Sequence, residues 1–210
     1  MERRAVPTFV KDEKLIEKRR RQIIKSAVSL FKEKGFHRTT TREIAQRAGF
    51  SIGTLYEYIR KKEDILYLVC DAIYEQFSSR MEEATRQGAS SAERLHRSIR
   101  AYFKLIDEMQ DEMLVMYQEL KSLNKDTLQY VLEKELLLTS IFEELIADCV
   151  NESIAQLTKS EIKAFAHNIL VLGQMWAFRR WALHSMYTIE EYIDLQMKFL
   201  KVHAKKPSKA

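Results

Sequence analysis

Proline is nearly absent from this chain. Its two occurrences, Pro7 and Pro207, lie close to the ends, so no residue between them removes a backbone donor or forces a kink. Glycine is almost as scarce, with five residues, and no stretch alternates strictly with Val, Ile and Thr. Both absences argue against sheet and leave an all-α chain as the expectation. The two cysteines, Cys70 and Cys149, fall inside helical patterns with no CxxC or metal-type spacing. They read as reduced, buried core thiols. Of the five histidines (His37, His96, His167, His184, His203), none pairs with another at i+4, so no metal site and no cofactor are expected. The longest near-apolar run, Ile169–Phe178, is broken by Gly173 and Gln174 and is too short to span a bilayer. The amino end carries charge but no apolar segment of signal-peptide type. A cytoplasmic location with no membrane partner follows as the expectation. No nucleophile–base pairing or glycine-rich phosphate loop stands out, so the chain is not expected to be an enzyme.

Charge is abundant and unevenly placed. Residues 1–65 hold 17 Lys and Arg against 9 Asp and Glu, a net of +8, while the remainder holds 18 against 21, a net of −3. A basic segment joined to a mildly acidic body suits a polyanion at one end; a plain solubility asymmetry is the other reading. The 210 residues suffice for one medium domain or a small domain plus a larger one.

The periodicity is helical throughout. A first helix is predicted over 12–34, with Ile16, Ile23, Ala27, Leu30 and Phe31 on one stripe. Gly35 suits a left-handed stop, with Phe36 touching Phe31 in a Schellman ending. Thr40 and Glu43 form a capping box for a short second helix, which Gly49 ends. Ser51 caps a third helix. Its expected buried stripe is Ile52, Leu55 and Ile59, with Gly53, Thr54, Glu57 and Tyr58 pointing away. A long fourth helix starts near Lys62 and reaches about Thr85. The loop-like stretch Arg86–Ser91 precedes further helices over 92–108, 112–123, 125–151, 159–185 and 188–203.

Two short helices joined at Gly49–Phe50 have the layout of a helix-turn-helix. The turn needs a residue tolerant of positive φ, and Gly49 supplies it. The second helix must bury one face while offering small or polar groups to a groove. The segment TTTREIAQRAGFSIGTLYEYIRKKEDIL, Thr39–Leu66, resembles the signature of the TetR family of one-component regulators, through Thr40, Ile44, Ala45, Ala48, Gly49, Ser51, Gly53, Thr54, Tyr56, Tyr58 and Lys62. The close match covers about residues 14–66; beyond it, only size and helical layout agree. The resemblance implies that Thr41 and Arg42 approach phosphate or a base edge. It further implies that Ser51, Gly53 and Thr54 enter the major groove, that Tyr56 contacts the backbone, that Tyr58 contacts phosphate or a base, and that Lys62 holds phosphate. Glu57 departs from a purely favourable surface: it either accepts from a cytosine amine or repels the backbone. Ile59 stands where the family usually has Phe or Val. The run Lys18–Arg21 reads as a solvated face from which some cations could clamp flanking phosphates.

The last two helices are too apolar for one subunit to cover both. In a TetR-like protein their counterparts form a four-helix bundle with a second copy, so a homodimer is expected. Gly173 within an apolar helix costs about 1 kcal/mol relative to Ala; close approach at the dimer seam or room for a ligand would account for it. In WAFRRWALH, Trp176–His184, Arg179 and Arg180 sit between two tryptophans. An interhelical ion pair with ring stacking is one reading, and an anionic group on a ligand is the other. With Phe103, Met109, Met113, Met116 and Tyr117 they resemble the ligand chemistry of lipid-catabolism regulators that bind acyl-CoA, although plain core accounts for the same stripe. The ligand-contact candidates are Phe103, Met113, Tyr117, Trp176, Arg179 and Arg180.

The expected organisation is a flexible arm over 1–11, a helix-turn-helix domain over 12–61, a ligand-binding and dimerisation domain over 62–203, and a tail over 204–210. The expected function is a repressor released from a palindromic double-stranded DNA operator by a small apolar or amphipathic effector, such as a fatty acyl-CoA. A ligand-independent architectural or division-linked DNA-binding protein of the same fold is the alternative.

Overall fold

The computed structural model describes residues 6–86 and 90–200. Among these residues there are helices and no strands. The order is α1 (Glu13–Lys34), α2 (Thr41–Ala48), α3 (Ile52–Tyr58), α4 (Lys62–Arg86), α5 (Ser91–Glu108), α6 (Gln110–Gln118), a 3₁₀ turn (Leu120–Ser122), α7 (Lys125–Asn151), α8 (Lys159–Phe178), α9 (Arg180–Met186) and α10 (Ile189–Phe199). Half of the loop expected over 86–91, residues 87–89, lies outside the described residues, as do the tail at 204–210 and residues 1–5.

The chain forms two compact units. One takes the residues up to Tyr74 together with Asp111–Leu132; the other takes Glu75–Gln110 and the residues from Glu133 onward. This division differs from the expected boundary at 61/62, because segment 111–132 returns to the helix-turn-helix. The backbone N–H of Phe36 donates to Glu119 Oε1 at 3.1 Å, Ser122 Oγ donates to Glu119 Oε2 at 2.8 Å, and Lys32 pairs with Asp111 at 2.5 Å. Tyr130 donates its hydroxyl to buried Asp71 at 2.6 Å. A buried carboxylate needs such a partner, and the pairing fixes α7 against α4 within this unit.

In the first unit, Asp12 caps α1 by accepting from the N–H of Leu15. Ile23, Ala27, Leu30 and Phe31 are buried as the stripe requires. The expected left-handed stop at Gly35 is corrected: φ is +81° but ψ is 160°, so the backbone leaves extended. Phe36 nevertheless meets Phe31 edge-on, with centroids 5.3 Å apart. The capping box of Thr40 and Glu43 is formed. Gly49 is left-handed (φ 76°, ψ 31°), and the N–H groups of Gly49 and Phe50 donate to Gln46 and Ala45, which is the Schellman pattern.

In the second unit, α5 packs on α8 and α10. Tyr102 and Phe103 are fully buried. Tyr102 donates to the carbonyl of Leu170 at 3.0 Å, and Tyr192 to that of Leu172 at 2.8 Å. Gly173 serves this packing within one chain: a Cβ there would lie 2.5 Å from Tyr102 Cε1. The single helix expected over 159–185 is broken at Arg179 (φ −109°, ψ 24°). The break lets Trp176 stay inside while Trp181 turns out, 75% exposed.

Candidate nucleic-acid interface and effector cavity

Two consecutive caps set the recognition surface. Gly49 closes α2, and Ser51 Oγ accepts from the N–H of Thr54 at 3.0 Å to open α3. The first turn of α3 presents Gly53 exposed and Thr54 half-buried, with Ser51 and Thr54 hydroxyls 3.0 Å apart. Gly53 keeps this turn flat, since its Cα carries nothing that would stand between the backbone and a base edge. Thr41 Oγ1 and Tyr56 Oη are 3.1 Å apart, which joins α2 to α3 on the outer face. Arg42 is exposed beside Thr41. The polar surface of the motif thus includes the Thr41–Tyr56 pair, the Ser51–Thr54 pair, and the exposed Arg42 and Gly53.

Two candidates depart from it. Tyr58 is 3% exposed, not outward. It lies three residues after Leu55 and therefore shares its face, while Ile59 has already left the helix (φ −141°, ψ 162°). Lys62 does not present its ammonium to solvent. It donates to the carbonyls of Phe36 at 2.8 Å, Thr39 at 3.0 Å and His37 at 3.3 Å, and it lies over the Phe36 ring. All three donors of the ammonium close the α1–α2 turn.

Within the basic run, Arg20 is structural. Its guanidinium donates to the carbonyl of Tyr58 and, at 2.6 Å, to that of Val6. Arg21 pairs with Glu17, and Arg19 lies over Phe50. Residues 6–11, expected to be a flexible arm, are instead docked. Val6 is buried, and Thr8 Oγ1 and the N–H of Phe9 both donate to the carbonyl of Glu57, at 2.8 and 3.1 Å. These bonds satisfy carbonyls left open at the end of α3. Sequence periodicity had no signal for this strap, which has no regular structure of its own.

The hydrogen bond from Lys34, ahead of those from Thr40, pulls the Glu43 carboxyl down to about 2. The capping box is therefore ionised at any pH where DNA is bound.

The ligand candidates differ in their surroundings. Phe103 and Met113 are buried core. Trp176 is buried, donates to Asp107 at 2.6 Å and stacks on His184. Arg179 is exposed over the Trp181 ring. Tyr117 and Arg180 are half-buried. None of the six lines the cavity of about 560 Å³ in the second unit. That cavity is bounded by Ala92 and Leu95 of α5, Ile146 and Cys149 of α7, residues 154–157, Ala164, Phe165 and Asn168 of α8, and Leu200. Its lining holds no Lys or Arg. Glu161 is the one carboxylate there, and its oxygen is held by the N–H and hydroxyl of Thr158. Burial raises the Cys149 thiol. Shape, not charge pattern, makes this site, and no residue spacing along the chain points to it.

A trihelical head with a solvent-facing recognition helix, followed by a helical body with an apolar cavity, defines a helix-turn-helix regulator. Residues 23–67 match the family described as bacterial regulatory proteins, tetR family, and residues 88–176 match the tetracyclin repressor-like C-terminal domain. The HTH-type transcriptional regulator HbdR of Aromatoleum sp. (strain CIB) is 28% identical over 190 residues, spanning 90% of this chain and 82% of that protein. The fatty acid metabolism regulator protein of Bacillus subtilis (strain 168) is 35% identical over 112 residues, spanning 53% of this chain and 58% of that one. The crystal structure of AibR in complex with isovaleryl coenzyme A and operator DNA shares the fold at TM-score 0.73 and 19% identity, covering 86% of this chain and 97% of AibR. The chain belongs to the TetR family and is a DNA-binding transcriptional regulator. Among the described residues no helix is long and apolar enough to cross a membrane.

Proposed function

We propose that the protein is a homodimeric repressor released from a palindromic operator by an effector whose apolar part enters the cavity of the second unit. The observation that carries this reading is the cavity itself. Its volume of about 560 Å³ lies within the range of small-molecule sites, roughly 300–1,000 Å³. Its walls are mostly apolar, with two neutral amides, Gln156 and Asn168, and the Glu161 carboxylate held by Thr158. With no cation in the lining, it suits an acyl group and not the phosphates of a coenzyme A thioester, which stay outside. The name of the Bacillus subtilis relative and the ligand of AibR support an acyl-CoA of short or medium chain. An open cavity also weighs against the ligand-independent alternative.

Dimerisation is supported by apolar side chains left exposed on α8–α10: Val171, Trp181, Met186 and Phe199. A two-fold axis through such a face makes an isologous contact. It would set two recognition helices about 34–36 Å apart for successive major grooves. Helix α4 is one continuous helix whose start belongs to the first unit and whose end belongs to the second. An effector that binds one arrangement of the second unit better shifts the spacing by its differential affinity alone.

The test is a gel shift on DNA flanking the protein's own gene, with and without acyl-CoA thioesters from C4 to C18. Release by one chain-length class supports the reading. Specific binding that no thioester alters removes the acyl-CoA assignment. Failure to bind that DNA at low salt, with binding to no duplex selected from a randomised library, removes the operator reading as well.

A further inference from the structure

Helix α3 is finished at its carboxyl end by parts of the chain far from it in sequence. The last carbonyls of a helix have no partner within it, and a helix as short as α3 needs tertiary support to hold its shape. Helices α1 and α2 end on Gly35 and Gly49, whose N–H groups close the last turn. Helix α3 ends on Ile59, where the backbone is already extended, and its last turn carries no basic residue. The strap over residues 6–10 supplies what is missing. Thr8 Oγ1 and the N–H of Phe9 both donate to the carbonyl of Glu57, and the N–H of Val10 donates to Thr8 Oγ1 at 3.2 Å. The Arg20 guanidinium of α1 donates to the carbonyl of Tyr58 from Nε and Nη2, and to that of Val6 from Nη2. It therefore ties the strap to the helix and sets a cation at the negative end of the α3 dipole. On the outer side the Arg60 guanidinium lies 4.9 Å from the centroid of the Phe9 ring. Pro7 fixes one backbone torsion of the strap, so less freedom is lost when it docks.

We infer that Thr8 and Arg20 are positioning residues for operator readout, which act without touching DNA by clasping the carboxyl half of α3. Tyr56 lies just ahead of the two clasped carbonyls, and its hydroxyl is 3.1 Å from that of Thr41 on α2. Fraying from Tyr58 backwards unwinds the turn that carries Tyr56 and breaks this link. Ser51 and Gly53, at the capped amino end, keep their place. A frayed population lowers the fraction of molecules competent for the specific complex, and the apparent affinity falls by that fraction. Non-specific binding comes from the phosphate charge and does not need an ordered end to α3. The inference rests on operator binding by α3.

The experiment uses the full chain. Anisotropy across a salt series follows binding to a duplex that the wild type selects from a randomised library and to an unselected duplex of equal length. Thr8→Val removes the hydroxyl at near-constant size, and Arg20→Met removes the donors while keeping an apolar stem. Each should weaken binding to the selected duplex by about 5-fold, the factor set by one net hydrogen bond. Affinity for the unselected duplex should stay within about 2-fold, and the log–log salt slope should not change. Thr8→Ser keeps the donor and should bind as the wild type does. Wild-type affinity for the selected duplex in both Thr8→Val and Arg20→Met overturns the inference. So does a slope lowered by about 0.9 in Arg20→Met, which marks a lost phosphate contact, or a Thr8→Val footprint that loses protection at the flanks. Equal losses on both duplexes mark a general weakening of the head and overturn it as well. A wild type that selects no duplex overturns operator binding, the reading beneath it.

Discussion

Replacing Gly173 with Ala tests the packing of the second unit, because two effects of opposite sign compete there. In an exposed helix interior the change would stabilise by about 1 kcal/mol through backbone entropy. Here the new Cβ would meet Tyr102 Cε1 at 2.5 Å, Tyr102 Cδ1 at 3.0 Å and Phe103 Cδ1 at 3.2 Å. The Tyr102 ring has little freedom to retreat. It meets Phe77, Phe103 and Phe142 edge-on, with centroids 5.5 to 5.9 Å away, and its hydroxyl holds the Leu170 carbonyl. Overpacking a filled core costs about 1–3 kcal/mol, and a strained Tyr102 hydrogen bond adds about 1. The clash exceeds the propensity gain, and a net loss of about 1–3 kcal/mol is expected. For a chain of this size that lowers Tm by roughly 2–4 °C per kcal/mol. Thermal and urea melts at fixed protein concentration measure it. The ring also gives a control: in a Tyr102→Ala background, Gly173→Ala should lose its penalty and recover part of the cavity cost, a coupling read from the double-mutant cycle. An unchanged or raised Tm for the single variant, or strict additivity in the cycle, would refute the reasoning.

Three further outcomes are expected. Lys62→Met should lower stability by about 2 kcal/mol, since charge-assisted bonds to three carbonyls are lost; a variant with wild-type Tm and weakened DNA binding would return Lys62 to a phosphate role. Glu43 is held at about 2 by Lys34 first and by Thr40, so its folded value lies below its unfolded one. The stability it supplies is present above pH 4.5 and is lost as pH falls towards 2. Glu43→Gln should therefore flatten the acid limb of a Tm–pH curve between those values, and an unchanged limb would count against the capping ion pair. Ala164→Trp should fill the cavity beside Phe165 and Asn168, abolishing effector release while leaving operator affinity within about twofold. Release that persists in this variant would place the effector elsewhere.

Local chemistry was legible before the fold. Capping residues and left-handed glycines act within four or five positions, so Thr40, Glu43, Gly49 and Ser51 could be placed on their helix ends from spacing alone. The resemblance added which residues of α2 and α3 to expect at DNA, and six of its eight candidates belong to the polar surface of that motif. Tyr58 was misplaced because a seven-residue helix is too short for periodicity to separate a margin from a buried face. Lys62 was misread because a lysine at a helix start looks the same whether its ammonium meets phosphate or three carbonyls folded beneath it.

The sequence by itself determined the helices, the order of the caps, the basic head and the membership of a DNA-binding family, since each depends on neighbours along the chain. Tertiary structure alone decided the rest. It docked the Val6–Val10 strap on α3, brought segment 111–132 back to the head, turned Trp181 outward at Arg179 and fitted Gly173 to Tyr102. It also left a cavity at Ala92, Ile146 and Phe165 and buried Phe103 and Trp176 in side-chain packing. These features depend on which surfaces meet across distant parts of the chain. An aromatic or methionine stripe has the same spacing whether it fills a core or lines a void, and only the packing of the opposing helices distinguishes the two.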